Sequence, residues 1–389
     1  WHAMGGPMQK VLNGLIEEYN STNPKFRIRP INKGSYSALI QSLLAGIPAK
    51  DLPDMSQAYE SWTSKLIDNE IIIPLQQYYD LLPDAEKNDF YPAFIENNTF
   101  NGKLWSIPFN KSVPILYYNK DMFEANGLNP PEKWDPDPKL SEFDRVCKAL
   151  TRDDDGDGIP NQWGYAFNLS VWTFECLLLQ SGGLLADEAE TKALFDSKEG
   201  RESIDWWHSL EKKKYAFRTR GYDFQNNFAA GDVGMIMTSS VSKFFLRNKL
   251  TFNLGIAEPP YRVKKAVILS GTNIVVIKSD PERERAAWAF LHWLTTPEIT
   301  AKWAVKTNYL PVRRSAMDTD IVKQAIADDP TFLIPLKTLD YAYFEPKGSG
   351  WYNSRNILSE AIEMIMLDLM NSEKALSDAA KKIDVELNK

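Results

Sequence analysis

Two prolines six positions apart, in the string IPFNKSVP at residues 107–114, limit the fold of this chain more than any other feature. Proline fixes φ and removes a backbone donor, so Pro108 and Pro114 forbid one uninterrupted strand. Residues 104–108 form a short apolar run and residues 115–118 a second, β-rich one, with a polar middle between them. That middle is expected to carry the chain from one lobe into another. At 389 residues the sequence also exceeds the size at which a single core stays efficient, so two domains are the default.

Periodicity places elements on either side of this passage. Met8, Val11, Leu12, Leu15, Ile16 and Tyr19 form a helical face over residues 8–19, and residues 26–30 alternate apolar and basic as a strand does. A helix over 36–44 and a second strand entered at 51–55 complete a β–α–β alternation. This predicts parallel pairing with ligand sites outside the carboxyl ends of the strands. Tyr59, Glu60 and Trp62 lie just past such an end. Further on, helices are expected over 141–150, 172–182 and 224–231, and strands over 164–167 and 233–238. Ser239 and Ser240 are expected to open the next helix, where serines serve as caps and free N–H groups can meet a phosphate or sugar oxygen. Residues 254–260 read as a strand and turn, and residues 266–277 cross back with Gly271 and Thr272 at the tight point. Ser279 or Asp280 caps a helix with Pro281 in its first turn and Trp288, Phe290, Leu291 and Leu294 on its buried face. The tail over 353–387 is expected to be helical, with Arg355 in its first turn.

Composition removes several function classes. A formal charge of -7 with no basic stripe argues against a nucleic-acid partner, and Lys212–Lys214 reads as a solvated helix end. No apolar run reaches the roughly 20 residues that span a bilayer. No basic start followed by an apolar segment and cleavage site is visible, so a secreted protein of this sequence is expected to have shed its leader. The three histidines sit in no nucleophile elbow or HExxH frame, and no Walker A or GxGxxG string occurs. A glycosidase built on two carboxylates is not removed by spacing, because 52 acidic residues make chance pairs easy. Cys147 and Cys176 can pair in an oxidising compartment or stand as two buried thiols. Twelve tryptophans and sixteen tyrosines supply flat faces for a core and for stacking on a ligand, Trp172 being a candidate platform for either.

One motif points to a metal. In DDDGDG at 153–158, Asp153, Asp155 and Asp157 hold the spacing of positions 1, 3 and 5 of an EF-hand-type loop, with Ile159 offering its carbonyl at position 7. Position 12 is Gly164, so the bidentate glutamate is missing. The loop is either a structural Ca²⁺ site or a solvated acidic turn.

The string IPFNKSVPILYYNKDMFEANGLNPP resembles family 1 of the extracytoplasmic solute-binding proteins of ABC importers, and within it the sn-glycerol-3-phosphate-binding components. The likeness continues at WHAMG (1–5), KGSY (33–36), Tyr59-Glu60, residues 231–240, YLPV (309–312) and around Arg355. The resemblance implies an α/β, two-lobed periplasmic-binding-protein fold of the maltose-binding type (type II), with discontinuous lobes joined by three crossings. The implied lobes are 1–109 plus 271–312 and 113–267 plus 316–389, with hinges near 109–114, 267–272 and 311–317. It also implies no enzymatic activity, no cofactor for function, a monomer, and an ABC permease as membrane partner. The expected place is periplasmic, or lipid-anchored at the outer face of the cytoplasmic membrane. Carried over by position, the ligand residues are Tyr36, Glu60, Ser112, Trp172, Ser240, Gly271, Thr272, Tyr309 and Arg355, with Trp1 and His2 near them. Taken alone, Glu60 is equally a helix-start glutamate favoured by the macrodipole, and Arg355 an exposed arginine. The family more often has Gly-Gly where this chain has Ser270-Gly271. The ligand so implied is sn-glycerol-3-phosphate or a glycerophosphodiester such as glycerophosphocholine, with a di- or oligosaccharide as the alternative.

Overall fold

The computed structural model describes residues 1–389, and the chain leaves its first unit at Ser112–Val113, inside the proline-bracketed stretch. Unit 1 holds Trp1–Ser112, Ser270–Phe332 and Lys347–Ser349, and unit 2 holds Val113–Leu269, Leu333–Pro346 and Gly350–Lys389. Pro108 ends the edge strand Ser106–Pro108, and Pro114 opens the strand Pro114–Asn119, the two places where a missing N–H costs least. The chain returns at Leu269–Ser270. Its third passage falls at Phe332–Leu333, beyond the expected 311–317, because the helix Asp320–Asp328 packs Val322 with Ala301 and Ala316 in a small core of unit 1. A short excursion, Lys347–Ser349, also belongs to unit 1, where Ser64 Oγ donates to Lys347 O at 2.7 Å.

Unit 1 has a three-stranded sheet in which Asn273–Val276 lies between Met55–Ala58 and Ser106–Pro108, antiparallel to both. Residues 26–30 form no strand, contrary to the alternation of their side chains. Alternation specifies faces, but a strand needs a neighbour, and the ladder reaches this segment only through the parallel bridge His2↔Asn32. The helix Gly6–Thr22 buries Met8, Leu12, Leu15, Ile16 and Tyr19 of the face read from the sequence, while Val11 is only half-buried. Asp280 caps the helix Pro281–Leu294 by accepting from Glu282 N and Arg283 N, and Phe290, Leu291 and Leu294 are buried as expected. Trp288 is only half-buried and stacks on Tyr78.

Unit 2 has a five-stranded mixed sheet in the order Ala216–Thr219, Trp163–Asn168, Val233–Ser239, Pro114–Asn119, Leu254–Ala257. The first three run parallel, and Pro114–Asn119 is antiparallel to both its neighbours. Its core gathers Trp134, Trp206, Trp207, Phe143, Phe174 and Trp351 with the helices Trp351–Met366 and Ser372–Leu387. Cys147 and Cys176 are both buried and free. Two local readings are corrected. Ser239 ends a strand rather than opening a helix; Ser242–Leu246 begins after Val241 without a side-chain cap. Arg355 is the fifth residue of its helix, which already starts at Trp351, so it sits in the second turn.

Candidate ligand-binding site

In unit 1 the crossing segment, the return at Ser270–Asn273 and the helix starting at Glu60 converge through buried polar side chains. Asn110 is fully buried; its Nδ2 donates to Tyr36 Oη at 3.0 Å, and its Oδ1 accepts from Thr272 N at 3.2 Å, from Thr272 Oγ1 and from Gln57 Nε2. Lys111 is also fully buried, and its ammonium donates to Glu60 Oε1 at 2.9 Å, Asn97 Oδ1 at 2.7 Å and Gly271 O at 3.3 Å. Asn273 Nδ2 adds a second donor to Glu60 Oε1 at 3.0 Å. A buried ammonium is tolerable only with such a set of acceptors.

Ser112 and Ser270 exchange backbone hydrogen bonds at 2.9 Å each way, and Leu310 N donates to Lys111 O at 2.8 Å. Gly271 stands at φ +104°, and a Cβ there would lie 1.8 Å from Asn110 O, so the close approach of the two segments requires glycine. Around this frame Tyr36 meets Tyr59 edge-on at 5.2 Å and Tyr59 meets Trp62 at 4.9 Å. Tyr309 stacks on Trp303 at 5.6 Å, and Trp303 on Phe109 at 4.8 Å. Burial pushes the Tyr36 hydroxyl well above its usual range, with Tyr309 and Tyr59 adding to the shift. Tyr36 is thus a neutral hydroxyl, and Glu60 Oε1 is fixed by two donors. Six sequence-predicted residues, Tyr36, Glu60, Ser112, Gly271, Thr272 and Tyr309, fall in this one cluster. Trp1 and His2 are held beside strand Met55–Ala58: Trp1 N donates to Met55 O at 2.7 Å, and burial, aided by the charged amino terminus, lowers the His2 ring to about 4.

In unit 2, Trp172 lies in the first turn of the helix Val171–Gln180, half-buried against the core, with its indole N–H donating to Ile268 O at 2.9 Å. Glu175, one turn on and fully buried, meets Arg355: Nη1 lies 3.5 Å from both its carboxyl oxygens and also contacts Glu345 Oε1. Glu345 Oε2 accepts from Trp351 Nε1 at 3.2 Å. Burial, and then Glu345, push the Glu175 carboxyl well above the usual range, with Arg355 opposing them. Trp172 and Arg355 therefore meet the same helix. Ser240 belongs to a different corner: its N–H donates to Val113 O at 2.8 Å and its carbonyl accepts from Tyr117 Oη at 2.9 Å.

The carboxylates of Asp153, Asp155 and Asp157 come within 4.8 Å of one another on an exposed loop. Asp153 accepts from Gly156 N and Gly158 N, Asp155 from Asp157 N and Asn161 Nδ2, and Asp157 from Ile159 N. These oxygens suit a hard cation, but amides alone also hold the turn.

Sequence reading passed over Asn110, Lys111, Asn97, Glu175 and Glu345. The signal for the first two was present in a charged residue and an amide enclosed by Pro108 and Pro114; Glu175 and Glu345 become partners of Arg355 only through the fold.

A family model described as bacterial extracellular solute-binding protein matches residues 14–332. The sn-glycerol-3-phosphate-binding periplasmic protein UgpB of Yersinia pseudotuberculosis is 27% identical over 410 residues, covering 100% of this chain and 92% of the relative. UgpB of Escherichia coli K12 is 28% identical over 334 residues, 82% of this chain and 74% of the relative. Among solved structures, UgpB from Mycobacterium tuberculosis in complex with glycerophosphocholine superposes with a TM-score of 0.86 at 22% identity, over 98% of this chain and 96% of that one. MalE from Xanthomonas citri, a sugar-binding protein, does so with a TM-score of 0.85 at 20% identity, over 100% and 96%. The fold is that of the maltose-binding-like periplasmic binding proteins. With its match running through both units, the chain belongs to the bacterial extracellular solute-binding proteins, as the binding component of an ABC importer and not an enzyme.

Proposed function

We propose that this protein captures a glycerol phosphate or a glycerophosphodiester such as glycerophosphocholine and delivers it to the transmembrane subunits of an ABC permease. The observation that carries the reading is the match to glycerol-3-phosphate-binding proteins along the whole chain. The glycerol hydroxyls would be taken by the unit 1 cluster, with Glu60 and Tyr36 as acceptor and donor, Ser112 and the Gly271–Thr272 backbone beside them and Tyr309 as an apolar wall. Unit 2 would supply Trp172, Ser240 and, for the phosphate, Arg355, whose planar donors match phosphate oxygens.

A neutral di- or oligosaccharide is the second reading, and one observation favours it. Glu345 and Glu175 both engage Arg355 Nη1, so an arriving phosphate must share or displace a carboxylate. Arg355→Ala separates the two. A phosphate ligand should bind about 10- to 100-fold more weakly, from the 1.5–3 kcal/mol of a charge-assisted hydrogen bond, while a neutral sugar should be nearly unaffected. Unchanged affinity for glycerol phosphates would reject the phosphate reading.

We further propose that the protein acts as a monomer outside the cytoplasmic membrane, free in the periplasm or lipid-anchored. No helix is long and apolar enough to cross a membrane. The loop at 153–161 is proposed to bind Ca²⁺ through Asp153, Asp155, Asp157 and the Ile159 carbonyl, stiffening that turn.

A further inference from the structure

Within unit 2 one guanidinium is held between two carboxyl groups, and the three side chains are unevenly exposed. Arg355 pairs through Nη1 with Glu345 Oε1 and lies 3.5 Å from both carboxyl oxygens of Glu175. The Glu175 side chain is fully buried, whereas that of Glu345 is 22% exposed and that of Arg355 33%, so a solute reaching this corner meets Arg355 and Glu345 together. Glu345 is also oriented, because its Oε2 accepts from the buried Trp351 Nε1 at 3.2 Å. Burial, and then Glu345, favour the neutral form of Glu175, with Arg355 opposing them. With Glu175 neutral the set balances at one cation against one anion. Two aromatic rings stand beside it. Trp172 precedes Glu175 by one turn on the same helix face and is fixed by its bond to Ile268 O. Ile268 pairs in turn with Tyr343, two residues before Glu345. Tyr343 already carries a cation, with Lys264 Nζ 4.7 Å from its ring centroid and bonded to its hydroxyl at 3.0 Å.

We propose that Arg355 and Glu345 form a two-pole site for a zwitterion, with the phosphodiester anion of the solute on Arg355 and an ammonium group, a short alkyl link away, on Glu345 and the Trp172 ring. The inference rests on the reading of the solute as a glycerol phosphate or its diester, and it selects within that class. A phosphate monoester is nearly a dianion at neutral pH. It meets one guanidinium with Glu345 beside it, so each gain in attraction carries a repulsion. A diester with an uncharged head group meets the same repulsion with less charge. A diester that ends in choline or ethanolamine turns Glu345 from an obstacle into a partner. The Arg355–Glu345 pair need not be broken for this, because a guanidinium is a five-donor fork that one ion pair does not exhaust. An aromatic face beside a carboxyl group is also the chemistry that recognises a quaternary ammonium, which has no N–H to donate. The carboxyl groups around Arg355 are then a means of selecting among phosphates.

Isothermal titration with glycerophosphocholine, glycerophosphoglycerol and sn-glycerol-3-phosphate tests this, the second compound being a diester without a cation. The parent protein should bind glycerophosphocholine at least about 10-fold more tightly than either of the others, which is what a partly exposed charge pair and one cation–ring contact supply together. Glu345→Gln should weaken glycerophosphocholine by about 10-fold and strengthen the other two, so that the preference disappears. A merely structural Glu345 weakens all three alike, and that result would overturn the proposal. So would a parent protein that binds glycerophosphoglycerol as well as it binds glycerophosphocholine, a comparison that stands even where the variant fails to fold. Silence from all three compounds would overturn the underlying reading of the solute, and the inference with it.

Discussion

Replacing Lys111 by methionine tests whether the unit 1 cluster rests on a buried charge. The ammonium is fully buried and has three acceptors, Glu60, Asn97 and Gly271 O. Methionine fills much the same volume, so packing changes little and the cost is electrostatic. It leaves Glu60, whose side chain is 14% exposed, with Asn273 as its remaining donor from the cluster, and strips the buried Asn97 Oδ1 of its lysine bond. Breaking one half of a buried pair costs about 3–5 kcal/mol, and the partial exposure of Glu60 places the expected loss near the lower end, about 3 kcal/mol. Urea unfolding followed by tryptophan fluorescence measures it, and a shift in midpoint at unchanged slope assigns it to stability. Adding Glu60→Gln should recover about half, since the stranded charge is then gone. A single variant within about 1 kcal/mol of the parent, or a double variant no better than the single one, would refute the reasoning.

Gly271→Ala should cost about 3 kcal/mol and weaken ligand binding, because its φ of +104° disfavours an L side chain and the new Cβ would sit 1.8 Å from Asn110 O; chemical denaturation beside a binding titration checks both. Glu175 carries a raised folded-state pKa, so its neutral form contributes stability that is complete below the usual carboxylate range and is lost as pH rises through the folded value. Glu175→Gln should therefore match the parent in Tm near pH 4 and exceed it by about 3 °C at pH 8, and a gap that does not widen with pH would contradict this. Added Ca²⁺ should raise Tm relative to EDTA, and Asp155→Asn should abolish the difference; an identical melt with and without Ca²⁺ removes the metal from the loop.

What could be read from the chain was whatever is local. The helix faces of 8–19 and 281–294, the Asp280 cap and the break between Pro108 and Pro114 follow from side-chain spacing, capping chemistry and a missing N–H, none of which needs a distant partner. Arg355 was named without its counterions, because Glu175 and Glu345 are 180 and 10 residues away and meet it only after folding. Segment 26–30 has a strand's alternation and no strand's pairing, since pairing belongs to a neighbour. The late third passage has the same origin: the packing of Val322 against Ala301, not any punctuation near 311–317, keeps the chain in unit 1.

Isothermal titration of the purified protein with sn-glycerol-3-phosphate, glycerophosphocholine, maltose and trehalose addresses the solute most directly. A saturable one-to-one isotherm is expected with one or both phosphate compounds and none with either sugar. Tight binding of maltose or trehalose with silence from both phosphates would contradict the account.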